Sequence, residues 1–384
     1  MNTQLQHDLL PTATHDELAR QNFVQSLKVH LATKVSPGNK TIYEHRAAPR
    51  FAREHQRPPQ DRHEVRSVMK DEPYYQMWST LLRTSQEMMW DSVNVSVERQ
   101  LPQLRKRAAT NGKTLGSLTL NPDLAIPAYH TAVDIHCQPG GYHTELEQND
   151  VAAGATYDRA VYIYAMSRLG SLNDDMGQSV VLHLKEQHTD FQPRRILDMG
   201  CTVGHSTLPY VDAYPEAEVF AIDVGAPVLR YGHARAEALG KRVHFSQQNA
   251  EQTNFEDGSF DLIVSHILLH ETSSQAIRNI MKECHRLLKP GGMMLHQEVP
   301  QYEGMPPYEA FILDWDTYNN NEPFWGTVHS MDLQKLAEES GFAAKRVIQT
   351  MIPSALERAQ ARTKKFQGGD FGGGGAWFVF GATK

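Results

Sequence analysis

The chain has 384 residues, 40% of them hydrophobic and 22% charged, enough to bury a large core and long enough for two domains or one domain with an extension. A formal net charge of −7 argues against DNA or RNA as a partner, because phosphates call for a clustered basic face. Cys137, Cys201 and Cys284 are widely spaced and odd in number, which fits neither a disulfide framework nor a zinc cluster; buried free thiols in a reducing cytoplasm are expected.

The first residues, MNTQLQHDLLPTATHDELARQNF, contain no basic segment leading into an apolar run, and no later stretch reaches the roughly 18 apolar residues of a spanning helix. A cytoplasmic protein without a membrane partner is expected. Up to about residue 71 the chain is polar, with amphipathic stretches such as HDELARQNFVQSLKVHLATKV broken by SPGNK and QRPPQD, so helices joined by loops are predicted. Residues 73–109 carry Trp78, Leu81, Leu82, Met88 and Met89 near helical spacing, which reads as a core stripe. Pro139, Gly140 and Gly141 then mark a turn flanked by His136, Tyr142 and His143. Helical periodicity resumes with Tyr157, Val161 and Tyr164 and again in GQSVVLHLKEQH.

From Arg194 the texture changes to short apolar strands alternating with longer helical segments, the pattern of βαβ units in a parallel sheet. Seven strands are predicted: RILDM, EVFAID, VHFSQQ, FDLIVS, GMMLHQE, AKRVIQTM and AWFVFGA. The last two, joined by a helical stretch and QGGDFGGGG, read as an antiparallel edge hairpin. The expected fold is therefore α/β: a Rossmann-like, mostly parallel, seven-stranded sheet over residues 186–384, with a mainly helical N-terminal domain over 1–185. A long insertion at about 300–328, rich in aromatics and proline, reads as a lid.

The stretch RRILDMGCTVGHST places an acid, Asp198, at the end of the first strand and glycines at Gly200 and Gly204. A turn between a strand and a helix start is a natural place for backbone N–H groups to meet a polar ligand. The dinucleotide fingerprint fails, because Thr202 and His205 stand where its second and third glycines belong, and no Lys-Ser or Lys-Thr pair closes a phosphate loop. The second strand ends in Asp223, followed by Val224; an acid at that tip can accept hydrogen bonds from both hydroxyls of a ribose.

The spacing of Asp198, Gly200 and Gly204 resembles motif I of the class I S-adenosylmethionine (SAM)-dependent methyltransferases, with Thr202 in place of the usual middle glycine. The resemblance extends through Asp223, through Asn249 and Ala250 where relatives often carry Asp-Ala beside the adenine, and through LLKPGGMML before the fifth strand. It is nearest to the branch of ubiquinone and menaquinone biosynthesis enzymes and natural-product methyltransferases, and it covers roughly the C-terminal half. It implies SAM as cofactor, S-adenosylhomocysteine as product, and a binding set of Asp198, Gly200, Thr202, Gly204, Asp223, Val224, Asn249, Ala250 and Ser265.

Methyl transfer asks the protein to align the acceptor and, where needed, to remove a proton. After the fourth strand, SHILLHE offers His266 and, one turn later, His270 as candidate bases. His296 and Glu298, two apart on the fifth strand, face one side of it; with Tyr142, His143 and Tyr157 they are candidate substrate contacts. No metal site is expected. The Asn/Asp-Pro-Pro-aromatic tetrad of the enzymes that methylate nucleobase amines is missing, so a small-molecule acceptor is expected, with the N-terminal domain capping the site or mediating a homodimer. A protein that binds SAM without transferring methyl groups, or one that methylates a protein partner, is the alternative.

Overall fold

The computed structural model describes residues 3–109, 113–359 and 375–384; nearly all of the glycine-rich stretch 367–375 lies outside them. Among the described residues eight strands form one sheet: β1 Ser117–Thr119, β2 Arg195–Met199, β3 Glu218–Asp223, β4 His244–Gln247, β5 Phe260–His266, β6 Leu288–Glu298, β7 Val347–Pro353 and β8 Ala376–Thr383. Their order is β1-β4-β3-β2-β5-β6-β8-β7. The first six are parallel to their neighbours, and β8 runs antiparallel to both β6 and β7. All seven predicted strands are present.

The eighth, β1, comes from the N-terminal half and pairs Ser117 with His244. It is three residues long with only its middle residue partly buried, too short to show a period of two in the sequence. Gly116 makes the pairing possible: a Cβ there would stand 2.0 Å from the Val243 carbonyl oxygen.

Apolar runs in β2, β5 and β6 are buried on both faces, as parallel strands covered by helices should be. Ile196, Val180, Leu184, Tyr210 and Leu229 pack on one side; Leu197, Ile277, Ile280, Met281 and Leu336 pack on the other. Each fully buried aliphatic side chain contributes about 1.5–3 kcal/mol. With β3 and β5 flanking β2, the connections leave β2 toward opposite halves of the sheet, which opens a crevice at the carboxyl ends of these strands.

The N-terminal half differs from expectation at SPGNK, where helical structure runs from His15 to His55 without a loop. Two π-helical turns, Leu31–Val35 and Tyr43–Ala47, precede Pro37 and Pro49. A π turn shifts the hydrogen-bond ladder by one residue and so accommodates a ring that lacks an N–H. Gly38 also lets Tyr74 come close, since a Cβ would lie 2.2 Å from its hydroxyl. The chain does break at QRPPQD: Gln56 takes a left-handed conformation and Asp61 caps the next helix, Arg62–Met69. Helix Pro73–Ala108 follows. Its Trp78 and Met89 are buried, but Leu81 of the predicted stripe is exposed, because that position of the helix faces away from the core; no helix among the described residues is long and apolar enough to cross a membrane.

The two halves share a core. Val93 and Val97 of the long helix and Ala155 and Ile163 of helix Ala152–Tyr164 pack with Val203, Val228 and Tyr231 from the sheet's connections. The insertion forms short helices whose Tyr308, Phe311, Ile312 and Trp315 pack on Val65, Met69, Tyr75 and Trp78, so these aromatics serve a core with the N-terminal helices and not the pocket wall.

Candidate active site

β2 delivers Asp198 and the turn that follows. Gly200, Thr202 and Gly204 all have positive φ, at 71°, 44° and 79°, a conformation glycine adopts without strain. The backbone N–H groups of Gly200 and Cys201 donate to the Ile222 carbonyl at 2.8 and 3.0 Å, and that of Thr202 donates to Asp223 Oδ2 at 3.0 Å. The expectation of free N–H groups in the turn thus fails at these three positions, because β3 lies close enough to take them.

Two acids stand out at the strand tips. Asp198 is buried; its Oδ2 accepts from Thr207 Oγ1 at 2.5 Å, while its Oδ1 has no hydrogen-bond partner. Burial pushes its carboxyl up to about 7, against the Thr207 hydrogen bond, and the charge of Asp223 adds to the rise. Asp223 accepts from the Gly225 N–H through Oδ1 at 2.8 Å and from Thr202 through Oδ2. Burial raises its pKa as well, opposed mainly by the Gly225 hydrogen bond. An unpartnered, buried carboxylate oxygen beside this turn suits the cationic methionyl end of SAM, so the residues present fit the cofactor.

One pocket joins the turn to the N-terminal helices. Asp198, Gly200, Thr202, Asp223, Val224, Asn249 and Ala250 line one part of it. His136, Tyr142, Tyr157, Tyr164, His266 and Glu271 line another. The remaining expected site residues stand behind this surface. Gly204 shapes the turn from its far side, near Phe245. Ser265 is buried, 2.7 Å from His296 Nδ1, and burial drops the His296 imidazole to about 3, so this pair is neutral packing within the sheet. His143 sits beside the His130 ring at 5.4 Å, not on the pocket wall.

The two candidate bases differ sharply. His266 reaches the pocket, but its Nε2 is 3.2 Å from the Tyr210 hydroxyl and its Nδ1 is 2.7 Å from Gln297 Oε1. Burial pulls it down to about 4, which keeps it neutral near pH 7. His270 is fully buried and holds Glu298 Oε2 at 2.7 Å through Nδ1. Burial lowers its pKa, but the charges of Glu298, Glu322 and Glu271 outweigh that and raise it. Glu298, which also accepts from the Leu269 N–H at 2.7 Å, orients His270 and does not face the pocket.

The groups the sequence did not bring forward are His136, Glu271 and Glu322. His136 Nε2 lies 3.1 Å from Glu271 Oε1 and its Nδ1 lies 3.0 Å from Glu322 Oε1; Tyr142 donates to Glu271 at 3.3 Å. Three distant segments meet here, the turn after Ile135, the end of β5 and the insertion. The signals available in the sequence were the place of His136 beside the Pro139–Gly141 turn and that of Glu271 next to His270; Glu322 left none.

Residues 196–292 match the methyltransferase domain family. An uncharacterized methyltransferase of Synechocystis sp. is 29% identical over 53% of this chain and 92% of its own length. A demethylmenaquinone methyltransferase of Thermus thermophilus is 32% identical over 33% of this chain and 54% of its own length. A tRNA N(3)-methylcytidine methyltransferase of Drosophila melanogaster is 29% identical over 29% of this chain, which spans 36% of that relative. With an acid, a glycine turn and a second acid set at the tips of β2 and β3, and with the family match running from β2 into β6, residues 196–292 form a methyltransferase domain on a Rossmann-like sheet.

Proposed function

We propose that the protein transfers a methyl group from SAM to a small-molecule acceptor seated against the aromatic wall, releasing S-adenosylhomocysteine. The observation that carries this reading is the single pocket that runs from Asp198 and Asp223 to Tyr142, Tyr157 and Glu271. Asp198 Oδ1 takes the methionyl ammonium, Asp223 the ribose hydroxyls, and Asn249 with Ala250 the adenine edge. Bound SAM supplies a methyl carbon made electrophilic by its sulfonium.

The chain's own share is alignment and proton management. The tyrosines of helix Ala152–Tyr164 and of the turn before it hold a planar or apolar acceptor, which gives the N-terminal half the role of a cap. Neutral His266, with both ring nitrogens engaged, positions that acceptor. The proton-accepting group on the pocket wall is the Glu271 carboxylate, which His136 holds through Nε2 at 3.1 Å, with His270 behind it. A net charge of −7 gives no support to a nucleic-acid acceptor.

The test is incubation of the purified protein with SAM and a panel of phenolic, enolic and amine small molecules, with S-adenosylhomocysteine followed by mass spectrometry. Acceptor-dependent release is expected. Tight SAM binding with no release on any acceptor would favour a domain that uses the cofactor structurally, and no SAM binding by folded protein would end the reading.

A further inference from the structure

We propose that His136, His270 and Glu271 hold one divalent transition-metal ion at the acceptor end of the pocket. A ligand atom from each of the three lies within 4.8 Å of those of the other two, and His136 and Glu271 also line the pocket. Two imidazoles and a carboxylate with positions left open toward a cavity form a donor set suited to zinc, iron(II) or manganese.

What separates this cluster from ordinary packing is the shell behind it. A metal-bound imidazole characteristically gives its other ring nitrogen to a carboxylate, which fixes its tautomer and its aim. Both histidines do this. His136 Nδ1 is 3.0 Å from Glu322 Oε1, and His270 Nδ1 is 2.7 Å from Glu298 Oε2. In each case Nε2 is the atom turned toward the neighbouring acids: His136 Nε2 is 3.1 Å from Glu271 and His270 Nε2 is 3.5 Å from Glu322 Oε2. An independent observation comes from Glu322, a 1% exposed residue whose Oε2 has no hydrogen-bond partner although it points into the cluster. Glu271, Glu298 and Glu322 have no lysine or arginine partner among the described ion pairs. A bound dication balances these carboxylates while leaving both imidazoles neutral, as ligation requires.

A second grouping, His270 with Glu298 and His329, shares His270 but would use up the carboxylate that orients it, and its members do not line the pocket. An ion at the first grouping selects acceptors that present an oxygen donor, such as a phenol, an enol or a vicinal hydroxy-carbonyl. Binding of the ion stands apart from the methyl-transfer reading; only its role in choosing the acceptor rests on that reading.

The experiment uses the full chain, freed of any tag and stripped with chelator, then titrated separately with Zn²⁺ and Mn²⁺ by calorimetry, with metal content counted by mass spectrometry. One ion per chain is expected. His136→Ala and Glu271→Gln should weaken it by at least roughly 100-fold, Glu322→Gln by roughly 10–100-fold, and His15→Ala, an exposed control, not at all. SAM titration of each variant reports folding and the cofactor site independently. Substoichiometric metal, or equal metal binding by His136→Ala, in protein that still binds SAM overturns the ion site and leaves methyl transfer standing. One ion bound by wild type but not by His136→Ala, in protein that binds no SAM, supports the site and removes the methyl-transfer reading instead.

Discussion

Replacing Asp198 by asparagine separates what its carboxylate does for the cofactor from what it costs the fold. Burial pushes this carboxyl up to about 7, whereas an unfolded aspartate titrates at about 3.9. A raised folded value means that the native state keeps a proton the unfolded chain gives up. Stability is therefore unaffected below about pH 4, is lost as pH rises toward 7, and levels off beyond. At about 1.4 kcal/mol per pH unit the loss reaches roughly 4 kcal/mol, and Asp198→Asn should recover much of it as a higher Tm at neutral pH. If Asp198 takes the methionyl ammonium as proposed, SAM binding should show the opposite dependence. The cationic methionyl end needs the ionised carboxylate, whose population falls from about one half at pH 7 to about one hundredth at pH 5, so SAM affinity should weaken by roughly 50-fold over that range. Nearly one proton should leave per SAM bound at pH 5. The asparagine variant should bind roughly 10–150-fold more weakly at pH 7, the value of a charged hydrogen bond, and show no such slope. Calorimetry at pH 5, 6 and 7 in two buffers of different ionisation enthalpy measures affinity and proton release together. A wild-type affinity that stays flat from pH 7 to 5, or an equal slope in the variant, would refute this role for Asp198.

Three further outcomes are expected. Asp223→Ala removes the acceptor of the Thr202 and Gly225 N–H groups along with the proposed ribose contact, and should weaken SAM by at least roughly 100-fold in the same titration. Gly200→Ala places a Cβ 2.6 Å from Leu268 Cδ1 at φ +71°; a loss of about 1–3 kcal/mol in urea unfolding and weaker SAM binding are expected, and unchanged behaviour would mean that the turn is softer than it looks. Asp158 is 1% exposed and gathers His205, His7, Tyr231 and Arg235 at 2.8, 3.0, 2.8 and 3.3 Å. Asp158→Ala leaves Arg235 buried beside no carboxylate and should cost about 3–5 kcal/mol by the same denaturation assay.

The parallel sheet was legible because its strands are runs of apolar residues punctuated by acids and glycines, and burial on both faces demands such runs. The cofactor turn was legible for a related reason: Asp198, Gly200 and Asp223 are fixed by local backbone geometry, which leaves a trace in spacing. β1 left none, since three residues paired to a strand more than a hundred positions away have no period to read. The proposed acceptor wall was only half visible. His266 and His270 were found because they follow a strand, but whether each faces the pocket depends on Gln297, Tyr210 and Glu298, which no spacing connects to them. His136 and Glu322 meet only because the long helix and the insertion are folded against the same sheet, an arrangement set by Trp78, Phe311 and Trp315 packing together and not by any motif.

The position of β8 between β6 and β7 ties the site to the order of synthesis. β6 can complete its ladder only when β8 has been made, and β8 brings Trp377, which lines the pocket and donates to Asp175 at 2.9 Å. A nascent chain that has already produced Asp198, Asp223 and the whole N-terminal half still lacks one wall of the pocket and exposes an unpaired strand edge along β6, a template for association with other chains. Ribosome-bound intermediates of this protein are thus without a finished pocket until β8 emerges, and a chain cut before Ala376 should aggregate and not persist as a slightly impaired enzyme.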